Sequence, residues 1–280
     1  MKGKICIVTG ANSGIGKAAA LGLAKMGATV VLLCRNKEKG EAAIEEIREK
    51  TGNNSLDLLI ADLSSMDAVK KAAQNFKSKY DQLDVLILNA GAYFTKRQVT
   101  VDGLERTAAV NYLSRFLLTN LLLDVMKKSA PTRIISVVGS MVKEIDFEDF
   151  MMEKNYTGRH SLARFTLANI LFIHELARKL EGTGVTANYM DPGAVKTDFV
   201  KKDKDVPGML KFMFKLVKPF LKSPKKAAET ILYLASSSDV QDITGKHFVD
   251  KTEKPSPPEA YDTSLAKRLW DSSAELTNLK

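Results

Sequence analysis

The stretch Thr9-Gly-Ala-Asn-Ser-Gly-Ile-Gly16 combines residue types that let a polypeptide meet a pyrophosphate through its backbone. Gly10, Gly14 and Gly16 allow a tight turn and close approach, with Asn12, Ser13 and Ile15 filling the loop between them. A helix beginning near Lys17 would supply oriented N–H groups to the anion. A glycine triplet alone is a weak signal. Between the first strand and first helix of a βαβ unit it becomes a strong one for a dinucleotide. The second strand ends Cys34-Arg35-Asn36-Lys37, where a carboxylate would have accepted hydrogen bonds from an adenosine ribose. Arg35 instead offers a charge-assisted fork suited to a 2′-phosphate, so NADP(H) is favoured over NAD. Metal chemistry finds little support, because His160, His174 and His247 show no ligand spacing. Cys6 and Cys34 fall in apolar strands and read as buried small hydrophobes rather than as a disulfide or metal pair.

The elements that must position these residues alternate along the whole chain. Strands are predicted near 4–9, 28–34, 56–61, 84–89, 132–138, 184–190 and 246–249. Helices are predicted near 14–26, 37–51, 65–79, 101–128, 155–181 and 224–236. The run Ala28-Thr-Val-Val-Leu-Leu-Cys34 is apolar throughout, as a strand covered on both faces by helices must be. The pattern predicts one α/β domain over 1–280: a doubly wound Rossmann fold with a seven-stranded parallel sheet and helices on both faces. Residues 203–223 would form a separate segment ahead of the last strand, and 252–280 a C-terminal tail entered through Lys254-Pro-Ser-Pro-Pro258.

The chain of 280 residues is 45% hydrophobic and 27% charged, enough to bury a sizeable core, with a formal charge of +9. Its 42 basic residues are interspersed with acidic ones in helical segments, which describes a solvated surface better than a nucleic-acid face, and no nucleic-acid motif is present. The first strand opens at Lys4, which leaves no room for a signal peptide. No apolar run approaches the roughly 20 residues of a bilayer span. A cytoplasmic protein, with peripheral membrane contact as an option, is the expectation.

With these elements in place, the chain resembles the short-chain dehydrogenase/reductase family, whose glycine motif is T-G-x-x-x-G-I-G. Further likenesses follow in order. Ala61-Asp62-Leu63 resembles the segment whose aspartate meets the adenine, and Asn89-Ala90-Gly91 the N-A-G motif beside the cofactor. Asn111 stands where the family's active-site asparagine does. Pro192-Gly193, Val195 and Thr197 resemble the loop over the nicotinamide carboxamide. The retinol-dehydrogenase-like branch is the nearest likeness. It rests on Leu167-Ala-Asn-Ile-Leu-Phe172, on Glu175 to Val185, and on Ser256-Pro257 with Leu269-Trp270.

The resemblance implies a tyrosine and a lysine four residues apart on one helix, with a serine from the preceding strand. On a shared helix face the lysine would lower the tyrosine pKa and hold the nicotinamide ribose, while the tyrosine moved the proton. Leu162 and Thr166 occupy those two places. The serine's place falls on Gly139, with Ser140 one residue late, and a local shift could still present Ser140. Tyr156 with His160 and Tyr93 with Arg97 repeat the spacing without restoring the position. Proton transfer by a positioned side chain is worth roughly 10² to 10⁴ in rate, and neither leucine nor threonine supplies it. Asn111 and Ser140 remain as the catalytic candidates.

The segment 208–222 sets Lys211, Lys215, Lys218 and Lys222 along one stripe, opposite Met213, Phe214, Leu216, Val217, Phe220 and Leu221. The resemblance implies that 203–223, which holds it, closes an apolar cleft as a lid; the stripe itself leaves an anionic membrane surface or an oligomer face as alternatives. Three readings follow. One is an NADP(H)-binding protein without the family's alcohol–ketone chemistry. Another is an NADPH-dependent oxidoreductase of an apolar substrate, taking its proton from Ser140, Tyr156, His160 or a water held by Asn111. The last is a cyclase, lyase or isomerase reusing the cleft. The resemblance also implies a possible homodimer through the helices near 101–128 and 155–181.

Overall fold

The computed structural model describes residues 1–196 and 221–279. Thr197 and most of the segments 203–223 and 208–222 lie outside the described residues.

The sheet is made of β1 (Ile5–Thr9), β2 (Thr29–Cys34), β3 (Leu56–Ile60), β4 (Val85–Leu88), β5 (Thr132–Val137), β6 (Val185–Met190), β7 (His247–Val249) and β8 (Thr252–Lys254). Their order is β3-β2-β1-β4-β5-β6-β7-β8. All neighbours from β3 through β7 pair in parallel. The order reverses between β1 and β4, which opens a crevice beyond the carboxyl ends of the strands.

Helices cover both faces because the strands are apolar on both. α1 (Gly14–Lys25), α2 (Lys37–Thr51) and α7 (Pro224–Ser236) close one core around Val8, Leu23, Leu32 and Ile231. α3 (Met66–Lys79), α5 (Ser114–Lys128) and α6 (Gly158–Lys179) close the other around Phe76, Phe116, Leu171 and Tyr189. Side-chain caps fix most entries: Asn36, Ser65, Thr157 and Ser223 each accept a hydrogen bond from a backbone N–H three residues on.

Three expectations are corrected. The sheet has eight strands rather than seven, the last antiparallel. Val249 and Thr252 pair across a two-residue turn in which Asp250 and Lys251 both take positive φ, of 49° and 66°. That is the backbone of a tight hairpin, reached without the Asn-Gly or Asp-Gly that would have announced it.

The helix expected from residue 101 starts later, as α4 (Arg106–Ala108). Residues 100–104 fold into a turn, with Thr100 N–H donating to Leu104 O, and the Glu105 carboxylate then accepts from the N–H groups of Thr107 and Ala108. A π-helical stretch, Ala109–Leu113, joins α4 to α5. The tail, finally, holds a helix, α8 (Thr263–Leu276), opened by Asp262. Trp270 meets Phe116 and Phe172 at 5.0 and 5.8 Å between ring centroids, and Tyr112 Oη lies 2.7 Å from Ser273 Oγ. A second copy docking on α5 and α6 would therefore meet α8 as well.

Candidate active site

The crevice begins with a small lattice joining β1 to β4. Thr9 Oγ1 donates to Ile87 O at 3.2 Å and accepts from the N–H groups of Asn89 and Ala90, both at 2.9 Å. Asn89 Nδ2 returns a bond to Thr9 O at 2.9 Å. The glycine loop sits directly on this lattice. Gly10 has φ +68°, and a Cβ there would come within 3.0 Å of Ala90 Cα. A Cβ on Gly16 would stand 2.5 Å from both Gly10 O and Asn89 Nδ2. Ser13 opens α1 in an extended conformation, and the first turn carries no acidic side chain to neutralise the helix's positive end.

At the next strand ends Arg35 faces Asp62, with Nη1 4.0 Å from Oδ2. Asp62 Oδ1 also accepts from Ser64 N and Oγ, while Leu63 is buried beside it. The Arg35 side chain is 65% exposed, so this long ion pair is worth at most about 1 kcal/mol and leaves the guanidinium open to a stronger anion. Cys34 is buried behind it. Burial pushes its thiol up to about 11, against the N–H groups of Asn12 and Ala11, which pull it down. Cys6 is likewise buried and free. Among the described residues no histidine, cysteine and carboxylate cluster could hold a metal.

The deeper end is built from the π-helical stretch. Asn111 is buried there: Oδ1 accepts from Ala92 N at 2.8 Å and Nδ2 donates to Ala92 O at 2.9 Å. Its own carbonyl accepts from Asn169 Nδ2 of α6 at 2.8 Å. Asn111 is thus tied to Ala92, the residue that follows the N-A-G segment.

The sequence reading missed Arg115, one turn further along and 6% exposed. Nη2 donates to Ala90 O at 2.7 Å, and Nη1 to Val137 O at 2.9 Å, Ser136 Oγ at 3.1 Å and Asn169 Oδ1 at 3.4 Å. Its Nε is buried without a partner, and burial draws the guanidinium down to about 10. A lone arginine in the apolar run Tyr112-Leu-Ser-Arg-Phe-Leu-Leu118 was the signal available.

Leu162 is half-buried and Thr166 buried on the same face of α6. Gly139 and Ser140 are exposed just past the end of β5, and a Cβ on Gly139 would meet nothing within 4 Å. The stand-in acids fare differently. Tyr156 Oη donates to Phe94 O at 2.8 Å, and burial pushes its hydroxyl up to about 12. His160 is exposed in the first turn of α6. Beyond β6, Gly193 N–H donates to Asp191 Oδ1 at 2.8 Å. Val195 lies opposite Lys222, whose ammonium is held by Asp250 at 2.7 Å.

Comparison with known proteins agrees with this layout. Residues 4–207 match the family model described as short chain dehydrogenase. Retinol dehydrogenase 14 of Mus musculus is 40% identical over 292 residues, spanning 100% of this chain and 87% of the relative. Retinol dehydrogenase 12 of Homo sapiens is 38% identical over 282 residues, spanning 100% and 88%. Among solved structures, an uncharacterized protein of Mycobacterium paratuberculosis superposes with TM-score 0.77 and 27% identity, over 99% of this chain and 94% of that one. A short chain dehydrogenase of Escherichia coli CFT073, complexed with NADPH, superposes with TM-score 0.70 and 25% identity, over 90% and 98%. The chain belongs to the short-chain dehydrogenase/reductase family, in its retinol-dehydrogenase-like branch.

Proposed function

We propose that this chain binds NADP(H) but does not carry out the family's alcohol–ketone interconversion. The cofactor's fit is supported by the glycine loop, where Gly10 and Gly16 leave backbone surface that a Cβ would fill, and by the exposed Arg35 fork at the end of β2. Gly10, Gly14 and Gly16 with the α1 N-terminus would hold the pyrophosphate, Asp62 and Leu63 the adenine, Arg35 the 2′-phosphate. Asn89, Ala90, Gly91, Pro192, Gly193 and Val195, with Thr197 from outside the described residues, would flank the remainder. When bound, the nicotinamide supplies a hydride; the protein must supply the proton.

The observation that carries the reading is the α6 face itself. The scaffold behind it, Asn111 to Ala92 and Asn169, is complete, yet Leu162 has no proton to give and Thr166 no charge. Tyr156 is turned away onto Phe94 O, with its hydroxyl held above the range useful at neutral pH. Titration calorimetry should show NADPH bound, while steady-state assays with apolar aldehydes and ketones show no turnover typical of the family. Efficient turnover by the unmodified protein overturns the reading.

A second reading, an NADPH-dependent reductase of an apolar substrate, draws on Ser140, which is exposed beside the end of β5. Under that reading Ser140→Ala abolishes whatever turnover the wild type shows.

A further inference from the structure

Arg115 is the least explained group in the molecule. Its charge is buried with no carboxylate partner among the described residues, and desolvation alone acts on it. A buried cation without a counter-ion costs folding free energy, offset here only by the neutral acceptors that hydrogen-bond its two terminal nitrogens. Packing does not explain it either, since Nε is left without an acceptor where a methionine would have filled the space quietly.

Its location narrows the use. The guanidinium gathers Ala90 O from the end of β4, Val137 O and Ser136 Oγ from the end of β5, and Asn169 Oδ1 from α6. Asn169 lies three residues beyond Thr166, on the α6 face that also carries Leu162. The charge is therefore held just beyond the carboxyl ends of β4 and β5, hydrogen-bonded to Asn169 one turn along α6 from Thr166. A short neutral side chain on α6 is matched by a long cationic one on α5.

We propose that Arg115 is a positioning residue that supplies, from α5, the positive charge missing at Thr166, and sets the field at the end of the crevice lined by Ala90, Asn111 and Thr166. The inference rests on the nucleotide-binding reading above. An oxidised nicotinamide ring carries a positive charge and a reduced ring does not, so a fixed cation at this end favours the reduced form. A role confined to packing would shift both affinities together.

The test is titration calorimetry with NADPH and NADP⁺ in parallel. The wild type should bind NADPH about tenfold more tightly than NADP⁺, the scale of one charge acting across a partly screened interior. Arg115→Gln keeps donors in place and removes the charge, and should bring the two affinities together. Arg115→Lys should keep the preference. Arg115→Gln combined with Thr166→Lys should restore it, because the charge returns from the other helix. Equal binding of the two nucleotides by the wild type overturns the proposal, and so does an unchanged ratio in folded Arg115→Gln. The wild-type comparison holds even if the glutamine variant fails to fold. No binding of either nucleotide overturns the nucleotide-binding reading and this inference together, whereas tight binding with an unmoved ratio overturns this inference alone.

Discussion

The glycine loop between β1 and α1 and the face of α6 carrying Leu162 and Thr166 open onto the same crevice, but they are made of different material. The loop presents backbone, and its side chains matter by being absent: Gly16 has room for no more than a hydrogen beside Gly10 O and Asn89 Nδ2. The α6 face has to present side chains, and there two positions hold groups with no acid–base chemistry. Function built from backbone is locked into the fold, because altering it collides with Asn89 and Ala90, just past β4. Function built from side-chain ends can be exchanged with the backbone fold intact. The Asn111–Ala92 and Asn111–Asn169 bonds stand behind Leu162 and Thr166 regardless of what those residues are.

The largest expected effect comes from refilling the α6 face. Leu162→Tyr, Thr166→Lys and Gly139→Ser together should raise NADPH-dependent turnover of apolar aldehydes by roughly 10² to 10⁴. The Arg115→Gln background avoids crowding the new lysine with a like charge. Gly139 has open space for the serine, so this position should accept the change at little stability cost. A folded, NADPH-binding variant with no gain would show that the crevice differs from a working one elsewhere than in these groups.

Breaking the other side of the comparison needs one methyl. Gly16→Ala should cost about 3 kcal/mol, read as loss of nucleotide binding and a lowered melting temperature, since the contact is with backbone and a hydrogen-bonded amide. Next, Asn111→Ala takes the side-chain partners from the half-buried N–H and C=O of Ala92, and should destabilise the protein by about 1 kcal/mol in urea unfolding. A change confined to catalysis would leave the unfolding midpoint untouched. Arg35→Ala should then lower the preference for NADPH over NADH by about 1.5 kcal/mol in calorimetry, with no effect on stability, because its ion pair with Asp62 is long and exposed.

How much of this was written in the sequence follows the same division. Parallel strands buried on both faces announce themselves as apolar runs, so β1 to β7 fall within a residue or two of their expected bounds. The glycine loop was legible because its spacing is imposed by backbone geometry. The β7–β8 hairpin was not, because Asp250 and Lys251 adopt positive φ without the residues that favour it. α8 stayed hidden because its apolar positions, Ala266, Leu269 and Trp270, acquire meaning only against Phe116 and Phe172, far away in the chain. Arg115 was missed for a related reason. A single charge in an apolar helix reads as surface until the fold shows it buried against Ala90 and Asn169.

The smallest expected effect lies at the tail. His174 Nε2 is 3.0 Å from Ser256 Oγ, which Tyr189 Oη also reaches at 2.7 Å, and the His174 ring meets the Tyr261 ring at 5.5 Å. Burial, helped by Lys246, lowers the His174 pKa from 6.5. The folded state thus prefers the neutral ring, so this stability is fully present above pH 6.5 and is lost as the pH falls below it. Melting temperatures of the wild type should sag below that pH, and His174→Gln should flatten part of the slope. An identical slope in the variant would place the acid sensitivity elsewhere.

The docking of α8 also has a practical use. Trp270 is the chain's single tryptophan, and it sits between Phe116, Phe172 and the Lys179 ammonium, 4.8 Å above its ring. All indole emission therefore originates at the seam between the tail and the body. Departure of the tail would wet the ring and remove the neighbouring cation, moving the spectrum to the red before the sheet opens. The molecule carries its own optical gauge of whether the last two dozen residues are seated, with no label attached.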